Sequence, residues 1–339
     1  MCKGGFLYII RLCNVYFIDN CTTRKLSPCL GVHSRVYSEH QQPLHLSLSY
    51  MLRTYLGQRK GIRKEVLELK DVMLWIGAGQ IGMAIARRVG FDKKILVGDK
   101  DFTQATNVSE TLQHVGFDIE PFEVDLSSRK SIQHIIEKGK EYGEITMLIN
   151  AAGVSPSQAS IETILKVDLY GTALLLEEVG KVIAAHGVGI TISSQSSRRM
   201  PALNAEIDAL LATTPTEELL QLESLHVQNI HDSLHAYQLA KRCNEKRVMA
   251  EAIKWGKRGA RLNSISPGII VTPLAKDEFE GERGDFYQKM FAKSPAGRPG
   301  TPDEVAHLAE LLMSPKGSFI TGSDFLIDGG ATAAYFYGE

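Results

Sequence analysis

From residue 71 onward, short apolar runs alternate with longer segments of helical periodicity, and this alternation constrains the fold more than any other feature of the chain. The apolar runs lie at 72–76, 95–98, 118–124, 146–150, 189–193, 261–266 and 324–327. They are rich in Ile, Leu and Val with little polar alternation, which is typical of strands buried on both faces of a parallel sheet. The pattern predicts a doubly wound α/β domain with a seven-stranded parallel sheet.

Capping residues predict where several of the helices between these strands begin and end. The segment 83–89 ends at Gly90, which predicts a left-handed C-cap. Residues 301–304 read Thr-Pro-Asp-Glu and predict a capping box with proline in the first helical turn. Residues 214–217 repeat that pattern as Thr-Pro-Thr-Glu, so a second capped helix is predicted inside the segment 198–236.

Residues 1–70 differ in composition from the remainder of the chain. They contain eleven Lys and Arg against four Asp and Glu. The apolar stretch 5–10 resembles the core of a signal peptide, but Arg11 interrupts it, and the basic start is also compatible with a transit peptide. We expect residues 1–70 to form an extension outside the α/β domain, which spans 71–339.

Composition excludes several classes of partner for the 339-residue chain. With 44% hydrophobic and 23% charged residues and a formal net charge of −1, it gives no reason to expect nucleic acid or a membrane surface as a partner. The spacings of Cys2, Cys13, Cys21 and Cys29 form no CxxC pattern, so no metal site is predicted. Because Cys243 is the only other cysteine, a disulfide-built fold is not expected, and the cytoplasm is the expected location.

Three glycines lie between the first predicted strand and the first predicted helix. Gly77 permits a tight turn, Gly79 lets the backbone approach a pyrophosphate, and Gly82 lets the helix pack closely on the strand. The N–H groups at the start of the helix, where Gln80 and Ile81 follow the turn, favour the phosphate charge. The spacing Gly-x-Gly-x-x-Gly in this context predicts a Rossmann-type dinucleotide site.

The second predicted strand ends at Asp99, 22 residues after Gly77. A carboxylate at this position accepts hydrogen bonds from a ribose 2′-hydroxyl and repels a 2′-phosphate. Lys100 follows directly and would offset part of that repulsion. The sequence therefore predicts NAD as the cofactor, with NADP the less favoured alternative.

Tyr237 and Lys241 stand four residues apart and share one face if their segment is helical. A phenol is a poor base at neutral pH, because its unperturbed pKa is about 10. A nearby ammonium, together with a positively charged nicotinamide ring, stabilises the phenolate. Lys241 can also hydrogen-bond the ribose of the nicotinamide. The pair therefore predicts a general acid/base, Tyr237, supported by a lysine that orients the cofactor.

Further motifs follow the predicted strands in order. They are Asp125-Leu126 after the third, Asn150-Ala151-Ala152-Gly153 after the fourth, Ile192-Ser193-Ser194 at the end of the fifth, and Asn263-Ser264-Ile265-Ser266-Pro267-Gly268 with Thr272 at the sixth. With Tyr237 and Lys241 they make residues 71–331 resemble a classical short-chain dehydrogenase/reductase, most similar in pattern to bacterial 3α-hydroxysteroid dehydrogenase/carbonyl reductase. The resemblance implies a homo-oligomeric oxidoreductase that interconverts a secondary alcohol and a ketone by hydride transfer with NAD(P).

The resemblance also implies individual roles. Ser194 would hydrogen-bond the substrate oxygen and stabilise its developing negative charge. Asp125 and Leu126 would bind the adenine end of the cofactor, and Asn150, Ala151, Ala152 and Gly153 would line its path. Pro267 and Gly268 would shape the loop beneath the nicotinamide, whose carboxamide would meet the Ile270 backbone and the Thr272 hydroxyl.

The sequence departs from the family pattern in three places. The glycine loop is one residue shorter than usual, and Ala151 replaces the second asparagine of the family's Asn-Asn-Ala-Gly. Asp168 stands where the family has an asparagine that holds a water linked to the lysine. Asp168 would hold the same water, or pair with Lys241 and weaken its effect on Tyr237, or be a helix residue without a catalytic part.

Ser194 and Tyr237 are 43 residues apart, so a helical segment at about 198–236 is inserted between them. It would form a lid over the substrate or alter a subunit contact. A second cover is expected from 274–298, whose charged, glycine-containing sequence predicts a flexible loop. Met290 and Phe291 in that loop would face an apolar, steroid-like carbonyl substrate or belong to ordinary packing.

Three alternatives to an alcohol dehydrogenase follow from the same residues. A sugar-nucleotide epimerase uses the same Tyr/Lys pair, but the chain after Lys241 is short for its additional substrate domain. An enoyl reductase would carry its lysine seven residues after the tyrosine, where this chain has Asn244. A nicotinamide-binding regulatory protein with weak or no catalysis is the third, and Asp168 is the residue that suggests it.

Overall fold

The computed structural model describes the strands β1 (Phe6–Arg11) and β2 (Asn14–Asp19) and residues 70–338 without 158, 274 and 276–283. The chain divides into two units, Met1–Glu65 and Val66–Glu339. In the first unit β1 and β2 pair antiparallel. Otherwise the extension expected at 1–70 lies outside the described residues.

In the second unit, seven strands form one parallel sheet in the order β5-β4-β3-β6-β7-β8-β9. Their bounds are Lys70–Ile76 (β3), Lys94–Asp99 (β4), Asp118–Glu123 (β5), Gly143–Asn150 (β6), Val188–Ile192 (β7), Arg261–Pro267 (β8) and Asp324–Ile327 (β9). The predicted doubly wound sheet is confirmed. The strand order reverses between β3 and β6, and this is where open α/β sheets bind ligands.

Helices cover both faces of the sheet. They are α1 (Gln80–Val89), α2 (Phe102–Gln113), α3 (Arg129–Tyr142), α4 (Ile161–Ile164), α5 (Thr172–Gly180), α6 (Ala205–Thr213), α7 (Ser233–Gly256), α8 (Gly284–Lys293), α9 (Pro302–Met313) and α10 (Ala331–Tyr337), with a π-helix at Leu165–Gly171. Alternate side chains of β3 enter opposite cores: Leu74 packs with the α3, α5 and α7 side, and Trp75 with the α1, α2 and α9 side. Both faces of the central strands are therefore buried, as their sequences predicted.

Two local predictions are wrong. Gly90 has φ −93° and ψ −5°, so it is not a left-handed cap; glycine is needed there because a Cβ would lie 2.6 Å from Ala86 O. Residues 214–217 form no capping box, because Thr214 is the C-cap of α6, Pro215 precedes a 3₁₀ turn (Thr216–Gln221), and the Glu217 carboxylate accepts from Arg129 instead. The capping box at Thr301 is confirmed.

The segment 274–298 was predicted to be a flexible loop, but the structure has a helix in it. Residues 274 and 276–283 lie outside the described part of the chain, and Gly284–Lys293 is helix α8. Tyr287, Met290 and Phe291 recur at helical spacing, which the charged composition of the segment concealed.

The inserted segment 198–236 packs on the outside of α7 and the π-helix. It contains α6 and three 3₁₀ turns, and its buried leucines, among them Leu211 and Leu219, share a cluster with Leu239 and Cys243 of α7. Arg242 of α7 donates to Asp208 of α6 at 2.6 Å. The body of the insertion is thus attached to helices, and only its ends reach the site described next.

Candidate functional site

The carboxyl ends of β3, β6, β7 and β8 open into one cavity of about 1660 Å³. Pockets for a single drug-sized ligand measure roughly 300–1,000 Å³, so this space is large enough for a cofactor and a substrate together. Sequence-predicted residues on its wall are Gly79, Gln80, Ile81, Gly82, Ala151, Ala152, Gly153, Ser194, Tyr237, Lys241, Pro267, Gly268, Ile270 and Thr272. Residues from widely separated motifs are therefore brought to one place.

The glycine loop has the form that a dinucleotide requires. Gly77 has φ +92°, and a Cβ there would lie 2.3 Å from Ala152 N, so only glycine fits. A Cβ at Gly82 would lie 2.2 Å from Trp75 Nε1, which donates to Gly77 O. A Cβ at Gly79 would meet no atom within 4 Å. The space beside Gly79 is open on the cavity wall, as close approach of a phosphate requires.

Asp99 is held against the glycine loop rather than free at the strand end. Its Oδ2 accepts from Ala78 N at 2.7 Å, and its Oδ1 accepts from Asp101 N at 2.9 Å. Lys100 forms an ion pair with Asp125 at 3.6 Å. Its charge is thus already directed to a carboxylate.

Five residues predicted to bind the cofactor do not line this cavity: Gly77, Asp99, Asp125, Leu126 and Asn150. Leu126 is buried against the backbone of Gly171. Asn150 is buried and donates to Thr172 Oγ1 at 3.3 Å.

Helix α7 places Tyr237 and Lys241 on the cavity wall. The Asp232 carboxylate caps the helix by accepting from His235 N at 2.8 Å. Lys241 follows Tyr237 by about one helical turn, and its Nζ lies 5.2 Å from the centroid of the Tyr237 ring. The four-residue spacing therefore has the geometry that the sequence predicted.

Asp168 lies in the π-helix and is fully buried. Its Oδ2 is 3.1 Å from Lys241 Nζ, an ion pair without the alignment of a good hydrogen bond, and its Oδ1 accepts from Val154 N at 2.8 Å. Burial raises the pKa of the Asp168 carboxyl, although the Lys241 charge opposes this. Burial alone would lower the pKa of Lys241, but attraction to Asp168 raises it. Of the arrangements expected for Asp168, the structure has the ion pair.

The two serines after β7 have different partners. Ser193 is buried, and its hydroxyl donates to Lys241 O at 2.9 Å, so it holds the strand end to α7. Ser194 lines the cavity, and its Oγ accepts from Ser196 N at 3.2 Å, which leaves its own proton for another acceptor. Ser193 also contributes to the cavity wall, but its proton is already donated to Lys241 O, so of these two serines Ser194 is the one able to donate to a ligand.

Several wall residues were not predicted from the sequence. At one end are Gln104, Asn107, Val108 and Thr111 of α2; at the other are Gln195, Arg199, Tyr287, Lys289, Lys293, Ala334 and Tyr335. None belongs to a recognisable motif, and only the amphipathic spacing of α8 would have pointed to any of them. Met290 also lies on the wall, whereas Phe291 is buried elsewhere.

Across the residues that the structure describes, no group of His, Cys, Asp and Glu side chains could hold a metal ion. No helix in the described ranges has both the length and the apolarity needed to span a bilayer.

Comparison with known proteins covers most of the second unit. Residues 71–205 match the family model described as short chain dehydrogenase, and residues 202–332 match the model described as enoyl-(acyl carrier protein) reductase. The short-chain dehydrogenase/reductase bsc3 of Alternaria brassicicola is 36% identical over 266 residues, which cover 78% of this chain and 96% of that relative. The D-threitol dehydrogenase of Mycolicibacterium smegmatis is 29% identical over 219 residues, or 62% of this chain and 72% of that one.

Solved structures share the fold. A 3-alpha-hydroxysteroid dehydrogenase from Pseudomonas sp. B-0831, complexed with NADH, superposes with a TM-score of 0.61 at 22% identity, covering 78% of this chain and 98% of that one. A short-chain dehydrogenase/reductase from Serratia marcescens gives the same TM-score at 20% identity, covering 78% and 99%.

Proposed function

The chain belongs to the short-chain dehydrogenase/reductase family, oxidoreductases that act on CH–OH groups with a nicotinamide cofactor, and from this premise we propose that it interconverts a secondary alcohol and a ketone with Tyr237 as general acid/base. One observation carries the proposal. Ser194, Tyr237 and Lys241 share the wall of a cavity into which the glycine loop also opens.

The residues present fit a nicotinamide dinucleotide. The open space at Gly79 and the N–H groups at the start of α1 suit its pyrophosphate. Thr272 Oγ1 accepts from Ala275 N at 3.2 Å, so its proton remains for the nicotinamide carboxamide. When bound, the cofactor supplies the hydride donor or acceptor.

The chain's own groups handle the proton. In oxidation, the Tyr237 phenolate accepts the proton of the substrate hydroxyl; in reduction, the Tyr237 phenol donates it to the carbonyl oxygen. Ser194 donates a hydrogen bond to the same oxygen as negative charge develops there. The Lys241 ammonium favours the phenolate, and Asp168 acts through Lys241 as a positioning residue.

We propose NAD rather than NADP as the preferred cofactor. The Asp99 carboxylate lies at the end of β4 beside the glycine loop, and Lys100, which would attract a 2′-phosphate, is paired with Asp125. NADH should bind more tightly than NADPH in a fluorescence titration. A strong preference for NADPH would refute this assignment of Asp99.

Tyr237→Phe tests the catalytic assignment. The variant keeps the ring but loses the transferable proton, so turnover of a panel of ketones and secondary alcohols should fall about 10²–10⁴-fold. NADH binding should be retained. Unchanged turnover in Tyr237→Phe would contradict the mechanism.

The alternatives give different results in the same assays. NADH binding without turnover of any carbonyl or alcohol would favour a regulatory protein. The model described as an enoyl reductase makes an enoyl thioester a necessary member of the panel. Lys241 rather than Asn244 lies on the cavity wall, which supports the alcohol dehydrogenase. A sugar-nucleotide substrate in the panel tests the epimerase.

We also propose a homo-oligomer in the cytoplasm. Helix α7 exposes Met249 and Ile253, which are 53% and 68% accessible, on the outside of the unit. Cys243 is a buried free thiol, which is compatible with a reducing compartment. Light scattering of the purified chain tests the assembly, and a monomer would contradict it.

A further inference from the structure

Arg199 lines the cavity immediately after the turn that carries Ser194, at the end formed by α8 and α10. Arg199 follows β7 and Tyr335 follows β9, whereas the glycine loop follows β3 and α2 follows β4. The sheet order therefore separates this end from the glycine loop and α2, which leaves it for substrate under the proposed function. Met290 and Tyr335 line the same end.

The contacts of Arg199 use only part of its hydrogen-bonding capacity. A guanidinium has five N–H donors. Nη2 donates to Gln195 Oε1 at 2.7 Å and Nη1 to Met290 Sδ at 3.2 Å, while the guanidinium stacks over the Tyr335 ring at 5.6 Å. Nε is enclosed without a partner among the described residues.

Arg199 also lacks a contacting counter-charge within the described part of the chain. Asp328 attracts Arg199 without forming an ion pair with it, and the Asp328 carboxylate accepts from the backbone N–H groups of Gly330 and Thr332. Arg199 is half-buried with its Nε enclosed, and this burial lowers the pKa of its guanidinium. A desolvated cation without an anionic partner is unfavourable, so such a residue is typical of a ligand site.

Other arginines of the domain have the partners that are typical of a structural role. Arg198 forms an ion pair with Asp324, and Arg242 forms one with Asp208. Arg261 donates to the backbone carbonyls of Leu312 and Gly317 at 2.7 Å. Among the residues that the structure describes, Arg199 has neither a carboxylate nor a backbone carbonyl as its hydrogen-bond partner.

The cavity wall around Arg199 also carries more positive than negative charge. Besides Arg199 and the paired Lys241, the described wall residues include the cations Lys289 and Lys293 and a single carboxylate, Asp232. The Asp232 carboxylate caps α7. Lys289 and Lys293 are exposed at α8, where they would attract an anion toward the cavity.

We propose that Arg199 binds a carboxylate on the substrate, so that the enzyme acts on oxo acids or hydroxy acids with an apolar body. The planar fork of the guanidinium matches a carboxylate through two parallel hydrogen bonds. Met290 and the Tyr335 ring contact the apolar part. This substrate class rests on the proposed oxidoreductase function.

The test compares oxo acids with their methyl esters on the full-length protein. Levulinate, 4-oxocyclohexanecarboxylate and a larger cyclic oxo acid are each paired with the ester, which keeps the ketone and removes the charge. The wild-type kcat/KM should favour the acid. Arg199→Met should lower kcat/KM for the acid about 30-fold and change that for the ester less than about threefold.

Two further variants separate charge from geometry. Arg199→Lys keeps the charge but not the fork, and should recover only part of the acid preference. Lys316→Met removes one exposed positive charge that does not line the cavity and should leave the preference unchanged. NADH affinity should be unchanged in Arg199→Met, which distinguishes a substrate contact from a cofactor phosphate contact.

The outcomes distinguish this proposal from the proposed function. Turnover of acids and esters alike, or an equal loss for both in Arg199→Met, would overturn the carboxylate site while leaving the oxidoreductase intact. If no carbonyl is turned over, calorimetric binding of each acid and ester to the enzyme–NADH complex decides: preference for the acids supports the site, and no preference refutes it.

Discussion

The buried pair of Asp168 and Lys241 sets the electrostatics beside Tyr237. An asparagine would leave the ammonium unopposed, whereas the Asp168 carboxylate, 3.1 Å from Lys241 Nζ, offsets part of its field at the phenol. The same carboxylate accepts from Val154 N, which follows Gly153. Asp168 thus fixes both the lysine and the loop after β6.

Asp168→Asn should shift the pH dependence of oxidation to lower pH. With the negative charge removed, Lys241 stabilises the phenolate of Tyr237 more strongly, and the acid limb of the kcat/KM profile should move down by about 1 pH unit. Asp208→Asn is the matched control, because it removes a paired carboxylate that contacts α7 outside the cavity. An unshifted or upward-shifted profile in Asp168→Asn would show that the carboxylate does not oppose the lysine.

Gly79 and Gly82 make a second residue-scale prediction, because their surroundings differ. Gly82→Ala places a Cβ 2.2 Å from Trp75 Nε1 and should lower the free energy of unfolding by about 1–3 kcal/mol. Gly79→Ala meets open space at an ordinary φ of −83° and should change stability by less than about 0.5 kcal/mol.

Although Gly79→Ala should change stability less than Gly82→Ala, we expect it to impair cofactor binding. Its methyl group occupies the space proposed for the pyrophosphate, so NADH affinity should fall at least about tenfold. Denaturant titration and NADH fluorescence measure the two effects. Unimpaired NADH binding by Gly79→Ala would argue against the proposed position of the pyrophosphate.

At the scale of elements, the insertion is held to the domain by a cluster of charges around Glu177 of α5. This carboxylate accepts from Thr216 of the insertion at 2.6 Å, from Lys181 at 2.9 Å and from Arg129 at 3.1 Å. Burial alone would raise the pKa of Glu177, but these partners lower it to about 2. The insertion is therefore attached on the face of the sheet that α3, α5 and α7 cover.

Glu177→Gln should destabilise the protein near neutral pH by about 1–3 kcal/mol. Since folding lowers this pKa, the stabilisation is present above the ordinary value of 4.5 and is lost as pH falls from there toward about 2. The difference between wild type and variant in denaturant titrations should shrink over that window. Thr216→Val removes one of the groups that lower the Glu177 pKa, so it should give a smaller loss of stability that shrinks over the same pH window.

At the scale of the whole molecule, a buried polar network joins α7, the turn after Ser194, β8 and β9. Glu245 of α7 accepts from Ser197 and from Ser266, and Ser266 also donates to Asp324, which pairs with Arg198. Burial and repulsion from Asp324 raise the pKa of Glu245. Elements that carry the site are thus connected through a group that is costly to ionise.

Glu245→Gln should be more stable than wild type at pH 7, by about 1 kcal/mol. Because folding raises the pKa of Glu245, its favourable contribution is complete below the ordinary value of 4.5 and is lost as pH rises through the folded value. The melting-temperature difference between variant and wild type should therefore grow as pH rises from 4.5. A difference that is constant with pH would contradict this account.

Much of the fold was predictable because its signals are local. The apolar runs located all seven strands, with ends displaced by a few residues, and Thr301 with Glu304 marked the start of α9. The predictions for Gly90 and for residues 214–217 were wrong. The residues packed beside them determine whether a glycine has a left-handed conformation and whether a capping motif forms its hydrogen bonds. The Glu217 carboxylate, which a capping box would need, accepts instead from Arg129, a residue far away in the chain.

The amino-acid sequence by itself determined the doubly wound sheet, the glycine loop and the Tyr237/Lys241 pair, since each depends on periodicity or spacing between near neighbours. Only the tertiary structure decided that Asp168 pairs with Lys241, that Lys100 is directed to Asp125, and that Arg199 reaches the cavity beside Tyr335. Those contacts join residues from separate elements. Charges in a cavity interact through space, and their partners are set by packing rather than by order along the chain.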